Sequence, residues 1–316
     1  MARSPVKPDS RQSSARIVLC PQCAAPGALF RTSRDHNRQT TSEVFEYYRC
    51  QGCSLVFMAD IPADLGPYYR EGYQPIPSSV AELRQVAEKE RFRLTELLKL
   101  KSGGRLLEIG PWIGIFSINA KDAGFEVEAI ENDATCVDFL NRVVGIRAVR
   151  SSNPAETLAG MNDQYDAIVL WHSLEHLPTP WLVVENAAKA LRPGGVLLIA
   201  IPNIDGYDSR VMRERWLHLD APRHLYFYPV DALTALCRRF GLDPVYLSTN
   251  DELSAMLAHD AWYHYARNWL PIKYLRRLAG LTIGQLLWWS TRSKQAEEGL
   301  GSGFTAIFQR GGPAGT

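Results

Sequence analysis

The chain has 316 residues, 46% hydrophobic and 22% charged, the balance of a folded protein of about two domains at ~150 residues each rather than of a disordered or fibrous one. Thirty-five basic against 34 acidic side chains leave a formal charge of +1, so nucleic acid would need a local basic patch to bind. Six cysteines are too few for a disulfide scaffold. The amino end MARSPVKPDSRQSSAR lacks the apolar stretch of a secretory signal. The longest nearly apolar run, the 12 residues 278–289, falls short of the roughly 20 that span a bilayer. We therefore expect a cytoplasmic protein, in which paired cysteines point to metal rather than to a disulfide.

In chain order, residues 1–16 are polar and aperiodic and read as a disordered tail. Residues 17–60 form a short cysteine-bearing segment. Residues 61–77 hold four prolines, two glycines and three tyrosines, which suits an extended linker. Ser79 opens a helix with capping-box spacing to Glu82. Val80, Leu83, Val86, Leu94, Leu97 and Leu98 continue it, and Gly103–Gly104 stop it. From residue 105 short apolar runs alternate with amphipathic ones: strands over 105–110, 125–131, 146–149, 166–171, 196–202 and 244–249, with helices or turns between them. LRPGG (191–195) reads as a turn, 251–296 as a helical insert, and GFTAIFQR (303–310) as the last strand. The spacing predicts an α/β fold: a Rossmann-like, seven-stranded, mostly parallel sheet with helices on both faces, in a domain spanning 78–316.

Cys20-Pro21-Gln22-Cys23 and Cys50-Gln51-Gly52-Cys53 are two CxxC turns separated by 26 residues. Such a pair builds a tetrahedral cage for Zn²⁺ with no open coordination position, hence a structural site and a zinc ribbon over 17–60. A segment of about 40 residues has too small a core to fold alone, and metal binding would supply the missing free energy. Cys136 and Cys237 fall on helix faces and read as small core residues.

The segment Leu106–Gly114 (LLEIGPWIG) leaves a strand and enters a helix, presenting backbone N–H groups to a ligand. Of the glycines a dinucleotide fingerprint needs at 110, 112 and 115, only Gly110 is present, which disfavours a nicotinamide-dependent oxidoreductase. Two acids stand out instead. Glu108 precedes the first glycine, and Glu131 ends the next strand, where an acid can accept hydrogen bonds from both hydroxyls of a ribose. Glu108 can face a cationic or amino-bearing group. The alternative is a plain tight turn with two solvated carboxylates.

LLEIGPWIG resembles the first motif of class I S-adenosylmethionine-dependent methyltransferases, whose pattern is acid-x-Gly-x-Gly-x-Gly. YDAIVLWHSLEHLPTP is similar to that family's fourth strand and its post-strand loop, LRPGGVLLIAIPN to the fifth strand, and DAPRHLYFYPVDALTALCRRFGL to the segment after it. The cysteine turns and the nearby YYREGY resemble a subgroup with an N-terminal zinc ribbon that includes sugar C-methyltransferases. The resemblance implies that Glu108, Gly110 and Gly114 hold the methionine part of S-adenosylmethionine and Glu131 its ribose. It places Asn153 near the adenine, and Trp171 and His172 along the pocket. Trp112 takes the place of the middle glycine, where an indole either crowds the methionine moiety or flanks it.

Methyl transfer from a sulfonium needs alignment and exclusion of water, and a base only when the nucleophile must lose a proton. Glu175-His176, past the fourth strand, and His224 in PRHLYFY are the candidates. In the resembled sugar C-methyltransferases a glutamate–histidine pair at this place deprotonates the acceptor. Each side chain has a purely structural alternative, capping or packing its loop. Tyr68, Tyr69 and Tyr73 serve either as a lid over the acceptor or as glue between ribbon and main domain.

Residues 261–292 mix seven Trp and Tyr with five Lys and Arg, the composition of a membrane-interface helix that would bring the enzyme to a lipid-linked acceptor. The alternative is a helical hairpin packed on the sheet or on a second copy in a homodimer. Single-stranded nucleic acid is disfavoured, because this is one local insert. The functional expectation is methyl transfer to a small or glycan-like acceptor, such as a nucleotide sugar. Its rival is a zinc-stabilised binding or scaffold protein of an envelope-glycan pathway whose cofactor site Trp112 has weakened.

Overall fold

The computed structural model describes residues 17–69, 76–161, 165–269 and 273–311. The expected tail and Tyr73 lie outside them. The chain begins with β1 (Val18–Leu19), β2 (Pro26–Ser33), β3 (Phe45–Cys50) and β4 (Val56–Met58). It continues through α1 (Val80–Ala87), α2 (Phe92–Leu100), β5 (Gly104–Ile109), α3 (Ile115–Asp122), β6 (Phe125–Glu131), α4 (Ala134–Phe139), β7 (Arg147–Arg150), α5 (Pro154–Ala159), β8 (Tyr165–Trp171) and α6 (Pro180–Ala190). The rest is β9 (Leu191–Pro202), α7 (Tyr207–Met212), β10 (Tyr226–Phe227), α8 (Val230–Arg239), β11 (Leu242–Ser248), α9 (Glu252–Arg267), α10 (Lys273–Ala279), α11 (Gln285–Gln295) and β12 (Gly303–Arg310).

The main sheet has seven strands in the order β11-β12-β9-β8-β5-β6-β7. All pairings are parallel except those of β12, which runs antiparallel between β11 and β9. Every residue of β8 is buried, as expected for a central strand covered on both faces, and this is why it reads as a continuous apolar run. The chain steps outward from β5 to β7 on one side and from β8 toward β11 on the other. The crevice at the carboxyl ends of β5 and β8 is therefore the switch point where an open parallel sheet binds ligands.

Local chemistry explains most element ends. Ser79 Oγ accepts the Glu82 N–H at 3.2 Å, but the Glu82 carboxylate reaches the Ser78 N–H, one residue before the position a capping box requires. LRPGG belongs to β9 rather than to a free turn: Leu191 already pairs with Tyr165, and Gly194, at φ +75°, accompanies a shift of register before the regular ladder. Cys136 and Cys237 are buried on α4 and α8.

The cysteine-bearing segment forms a five-stranded antiparallel sheet completed by β10 from the main domain, with Tyr226 opposite Phe57 and Phe227 opposite Val56. Tyr47, Phe57, Trp216, Tyr226 and Phe227 share one apolar core that continues into the main sheet. Across this junction the fully buried guanidinium of Arg223 binds Asp35 of the ribbon segment (Nη2–Oδ1 2.6 Å) and Asp220 (Nη2–Oδ1 2.7 Å, Nε–Oδ2 3.0 Å). Burial alone would raise the Asp35 carboxyl. The bonds from Arg223, Thr40 and Arg38 outweigh it and hold the group well below the usual carboxylate range.

In the insert, α9 packs on α10 and α11 through glycine. A Cβ on Gly280 would stand 2.5 Å from the Tyr263 ring, and one on Gly284 2.8 Å from Tyr263 Cα. The opposite face exposes Leu278, Leu281, Leu286 and Trp289. Among the described residues no helix is long and apolar enough to cross a membrane.

Candidate active site and metal centre

Three alternate residues of the turn after β5 are left-handed: Gly110 (φ +73°), Trp112 (φ +54°) and Gly114 (φ +81°). Side chains at the two glycines would collide, with Ser173 Cβ at 2.7 Å and Leu140 Cδ2 at 2.7 Å. Trp112 therefore keeps the backbone shape of the glycine it replaces, at a steric cost of about 1–2 kcal/mol. Two contacts hold it there. Its N–H donates to Glu131 Oε2 at 2.9 Å, and its partly buried indole packs on the core that lies between α3 and α4.

Glu108, at the end of β5, is 2% exposed, so the picture of a solvated carboxylate does not hold for it. Ser117 of α3 donates to its Oε2 at 2.5 Å. Burial pushes the carboxyl up to about 7, against the pull of Ser117 and of the nearby Arg93 guanidinium, and with a further push from Glu131. Arg93 also stands 5.3 Å from the ring centroid of Trp171. Sequence reasoning missed Arg93. Its one signal was register: it lies four residues before Leu97 and so on the same buried face of α2. Glu131 ends β6 with Oε1 accepting from the Asn132 (2.6 Å) and Asp133 (2.9 Å) N–H groups. Burial raises its carboxyl above the ordinary value despite these bonds.

Beyond these acids the rim carries buried polar atoms with no hydrogen-bond partner among the described residues: Trp171 Nε1, His172 Nε2 and Asn153 Oδ1. Asn153 stands at the N-cap position of α5 without a side-chain capping bond, just past β7, and Trp171 ends β8. His172 comes next, in the left-handed region at φ +50°, the kind of local strain that gathers at functional sites. Burial lowers its pKa, opposed by Glu175, whose Oε1 lies 3.5 Å from Nδ1. A buried carboxylate beside a ring of unpaired donors and acceptors fits a ligand with a cationic amino-acid end and a polar nucleoside end. A cleft of about 610 Å³ between α1, α2 and α3, lined by Arg84, Glu88, Phe92 and Asp122 among others, shares none of these residues.

Glu175, His176 and His224 come together beside that rim. The two imidazoles stand edge to face, ring centroids 4.5 Å apart. His176 Nδ1 lies 3.0 Å from the Arg223 carbonyl and 3.2 Å from the Tyr69 hydroxyl, while His224 Nδ1 lies 2.8 Å from the His218 carbonyl. A carbonyl only accepts, so in each ring Nδ1 carries a proton, and in the neutral ring Nε2 holds the lone pair. Burial, helped by His176, drives the His224 pKa down to about 4. Both Glu175 oxygens are buried without a hydrogen-bond partner among the described residues. Tyr69 of the 61–77 segment reaches this cluster, and the Tyr68 carbonyl accepts from Arg223.

The four sulfurs of Cys20, Cys23, Cys50 and Cys53 lie within 4.8 Å of one another, with Cys20–Cys53 at 3.7 Å and Cys23–Cys50 at 3.4 Å. A tetrahedral zinc with ~2.3 Å bonds sets sulfurs about 3.8 Å apart. Both turns close alike: the Ala24 N–H donates to the Cys20 carbonyl and the Ser54 N–H to the Cys50 carbonyl, with Ala24 and Ser54 at φ +59° and +64°. The Gly52 and Cys53 N–H groups point at Cys50 Sγ, each at 3.3 Å, as donors do toward a thiolate. The donor set therefore suits zinc.

A seven-stranded sheet of this order, with two acids at its switch point, is the class I methyltransferase fold. Residues 81–247 match the family described as "Methyltransferase domain", and the chain belongs to it, as a class I S-adenosylmethionine-dependent methyltransferase. It is 28% identical over 179 residues to a 27-O-demethylrifamycin SV methyltransferase of Amycolatopsis mediterranei, covering 52% of this chain and 63% of that protein. To a ubiquinone biosynthesis O-methyltransferase of Cereibacter sphaeroides it is 25% identical over 152 residues, 45% of this chain and 62% of that one. The chain thus spans less than two thirds of the length of these relatives. A solved S-adenosylmethionine-dependent methyltransferase of Archaeoglobus fulgidus superposes with a TM-score of 0.49 at 17% identity, over 71% of this chain and 94% of that one.

Proposed function

We propose that this protein methylates a hydroxyl of a small or glycan-like acceptor, in the class of a nucleotide sugar or a lipid-linked glycan. Bound S-adenosylmethionine would supply an electrophilic methyl on its sulfonium. Glu108, with Arg93 and Ser117 around it, receives the amino-acid end, and Glu131 the ribose. Asn153, Trp171 and His172 offer their unpaired polar atoms to the remainder. A hydroxyl must shed its proton to attack, and His176 Nε2 takes it, with the ring oriented through Nδ1 by the Arg223 carbonyl. Glu175 offsets the charge the imidazole then carries, and His224 packs edge-on against the ring. The observation that carries this reading is the contact of His176 Nδ1 with the Arg223 carbonyl beside the switch-point rim, which leaves Nε2 as the free ring nitrogen. The two relatives named above, which methylate oxygen by their names, support an oxygen acceptor.

A product-mass screen with labelled cofactor against nucleotide sugars, lipid-linked glycans and phenols tests the acceptor class. His176→Ala should lower turnover about 100-fold or more, the usual share of general-base catalysis, while cofactor affinity holds within about twofold. Unchanged turnover would remove the base.

We also propose a structural Zn²⁺ on Cys20, Cys23, Cys50 and Cys53, and contact of the α10–α11 face with an anionic membrane surface. Leu286 and Trp289, 67% and 60% exposed, stand on α11 ahead of Arg292 and Lys294, a pairing of apolar and basic side chains that suits such a surface. Co-sedimentation with phosphatidylserine vesicles, weakened at least fivefold by Leu286→Ser/Trp289→Ser, is expected. A concentration-dependent dimer with no vesicle binding would assign the face to a second copy instead.

A further inference from the structure

We infer that Glu175, His176 and His224 also form a binding site for a divalent transition-metal ion, and that its occupancy silences the base. The second half of this inference rests on the role of His176 proposed above, and the first half does not.

One oxygen of Glu175 and one ring nitrogen of each histidine lie within 4.8 Å of one another. Donors on a single ion with bonds of ~2.1 Å stand about 3.0–3.4 Å apart, so a small side-chain adjustment closes the set. Each imidazole already has the second-sphere arrangement of a metal ligand: its Nδ1–H is held by a backbone carbonyl, Arg223 for His176 and His218 for His224, which fixes the ring and directs the Nε2 lone pair. The anion is in place as well. Among the described residues Glu175 is buried with neither oxygen hydrogen-bonded, and its nearest cationic candidate, His172 Nδ1, lies 3.5 Å from one oxygen only. Burial disfavours a lone carboxylate, and an ion bridging it to two imidazoles would compensate its charge more fully than the single 3.5 Å contact with His172 does. The remaining neighbours agree with this. Asp220 Oδ2 lies 3.9 Å from His224 Nε2 and adds negative potential, and its own charge is engaged by Arg223. Two imidazoles and one carboxylate are a ligand set for borderline divalent ions such as zinc, cobalt and iron(II), with open positions. An ion on His176 Nε2 occupies the lone pair that the acceptor proton requires, so metal binding and proton removal exclude one another.

Cobalt(II) separates this site from the cysteine cage, because a nitrogen–oxygen set gives weak visible ligand-field bands without the near-ultraviolet thiolate charge transfer of a sulfur site. Titrating the full chain should reveal one equivalent of Co²⁺ of the nitrogen–oxygen type besides any bound by thiolates. Glu175→Gln and His176→Asn, the latter at a partly exposed position, should each weaken it at least tenfold with near-ultraviolet circular dichroism unchanged. Zn²⁺ at that second equivalent should lower turnover at least tenfold, with recovery on adding a chelator. A spectrum of thiolate type alone, or a nitrogen–oxygen spectrum that survives in both variants, overturns the site. Metal binding that leaves turnover untouched overturns the silencing and, with it, the base role of His176.

Discussion

Arg223→Met tests whether the junction between the ribbon segment and the catalytic domain is held electrostatically. The substitution keeps the length and apolar bulk of the side chain but removes five hydrogen bonds: two to Asp220, two to Asp35 (2.6 and 3.2 Å) and one to the Tyr68 carbonyl (3.1 Å). Two carboxylates, with side chains 0% and 7% exposed, are left buried without a counter-charge. Breaking a buried pair in this way costs roughly 3–5 kcal/mol, on the order of 10 °C in melting temperature for a domain of this size. The pH dependence has a definite sign. In the wild type Asp35 is held below its unfolded value, so its contribution is complete at neutral pH and fades only as acid reaches the folded pKa. In the variant burial acts on Asp35 with only the Thr40 and Arg38 bonds against it, so its carboxyl moves upward, the penalty is full at pH 7, and it fades as the carboxyl protonates on the way to about pH 4. Urea unfolding followed by tryptophan fluorescence should therefore show a gap between the two proteins that narrows from pH 7 to pH 4. A gap below about 1 kcal/mol at pH 7, or one that does not change with pH, would refute the reasoning.

Trp112→Gly relieves a left-handed tryptophan but loses the packing of a partly buried indole, and the bond to Glu131 survives because the backbone makes it. We expect stability to change by less than about 2 kcal/mol and S-adenosylmethionine affinity by less than tenfold in calorimetry. A hundredfold gain in affinity would instead mark the site as one that tryptophan disables. Elemental analysis after metal-retaining purification should give one zinc per chain beyond any on the histidine site. Cys50→Ser should release it and lower the melting temperature sharply, since metal binding here is folding free energy. A zinc content well under one per chain contradicts the cage.

Local patterns carried the main sheet into view. Strands β6 and β12 lie where the sequence pattern placed them, since apolar residues dominate each and a glycine or a charged residue bounds it. The two CxxC turns and the acids on β5 and β6 were legible for the same reason: spacing along the chain fixes spacing in the turn. What escaped was built from distant segments. β10 is two residues of PRHLYFY that pair with β4 some 170 positions earlier, and nothing local distinguishes them from a loop. Asp35, Arg223 and Asp220 carry no local signal, because each is simply a charged residue taken alone, and only their meeting permits burial. Arg93 escaped for the same reason. The strain at Trp112 was invisible because a tryptophan does not announce φ > 0 as a glycine does.

The central claim is that Glu108 at the rim of the switch point grips the cationic end of S-adenosylmethionine, and calorimetric titration of that cofactor across pH tests it most directly. Because burial raises the free carboxyl to about 7, binding below that pH must first expel a proton. Affinity should climb as pH rises toward 7, by up to roughly tenfold per unit, and level off above it. Glu108→Gln should bind at least tenfold more weakly at pH 8 and lose that slope. A cofactor that does not bind, or that binds the Gln variant as it does the wild type at every pH, would contradict the account.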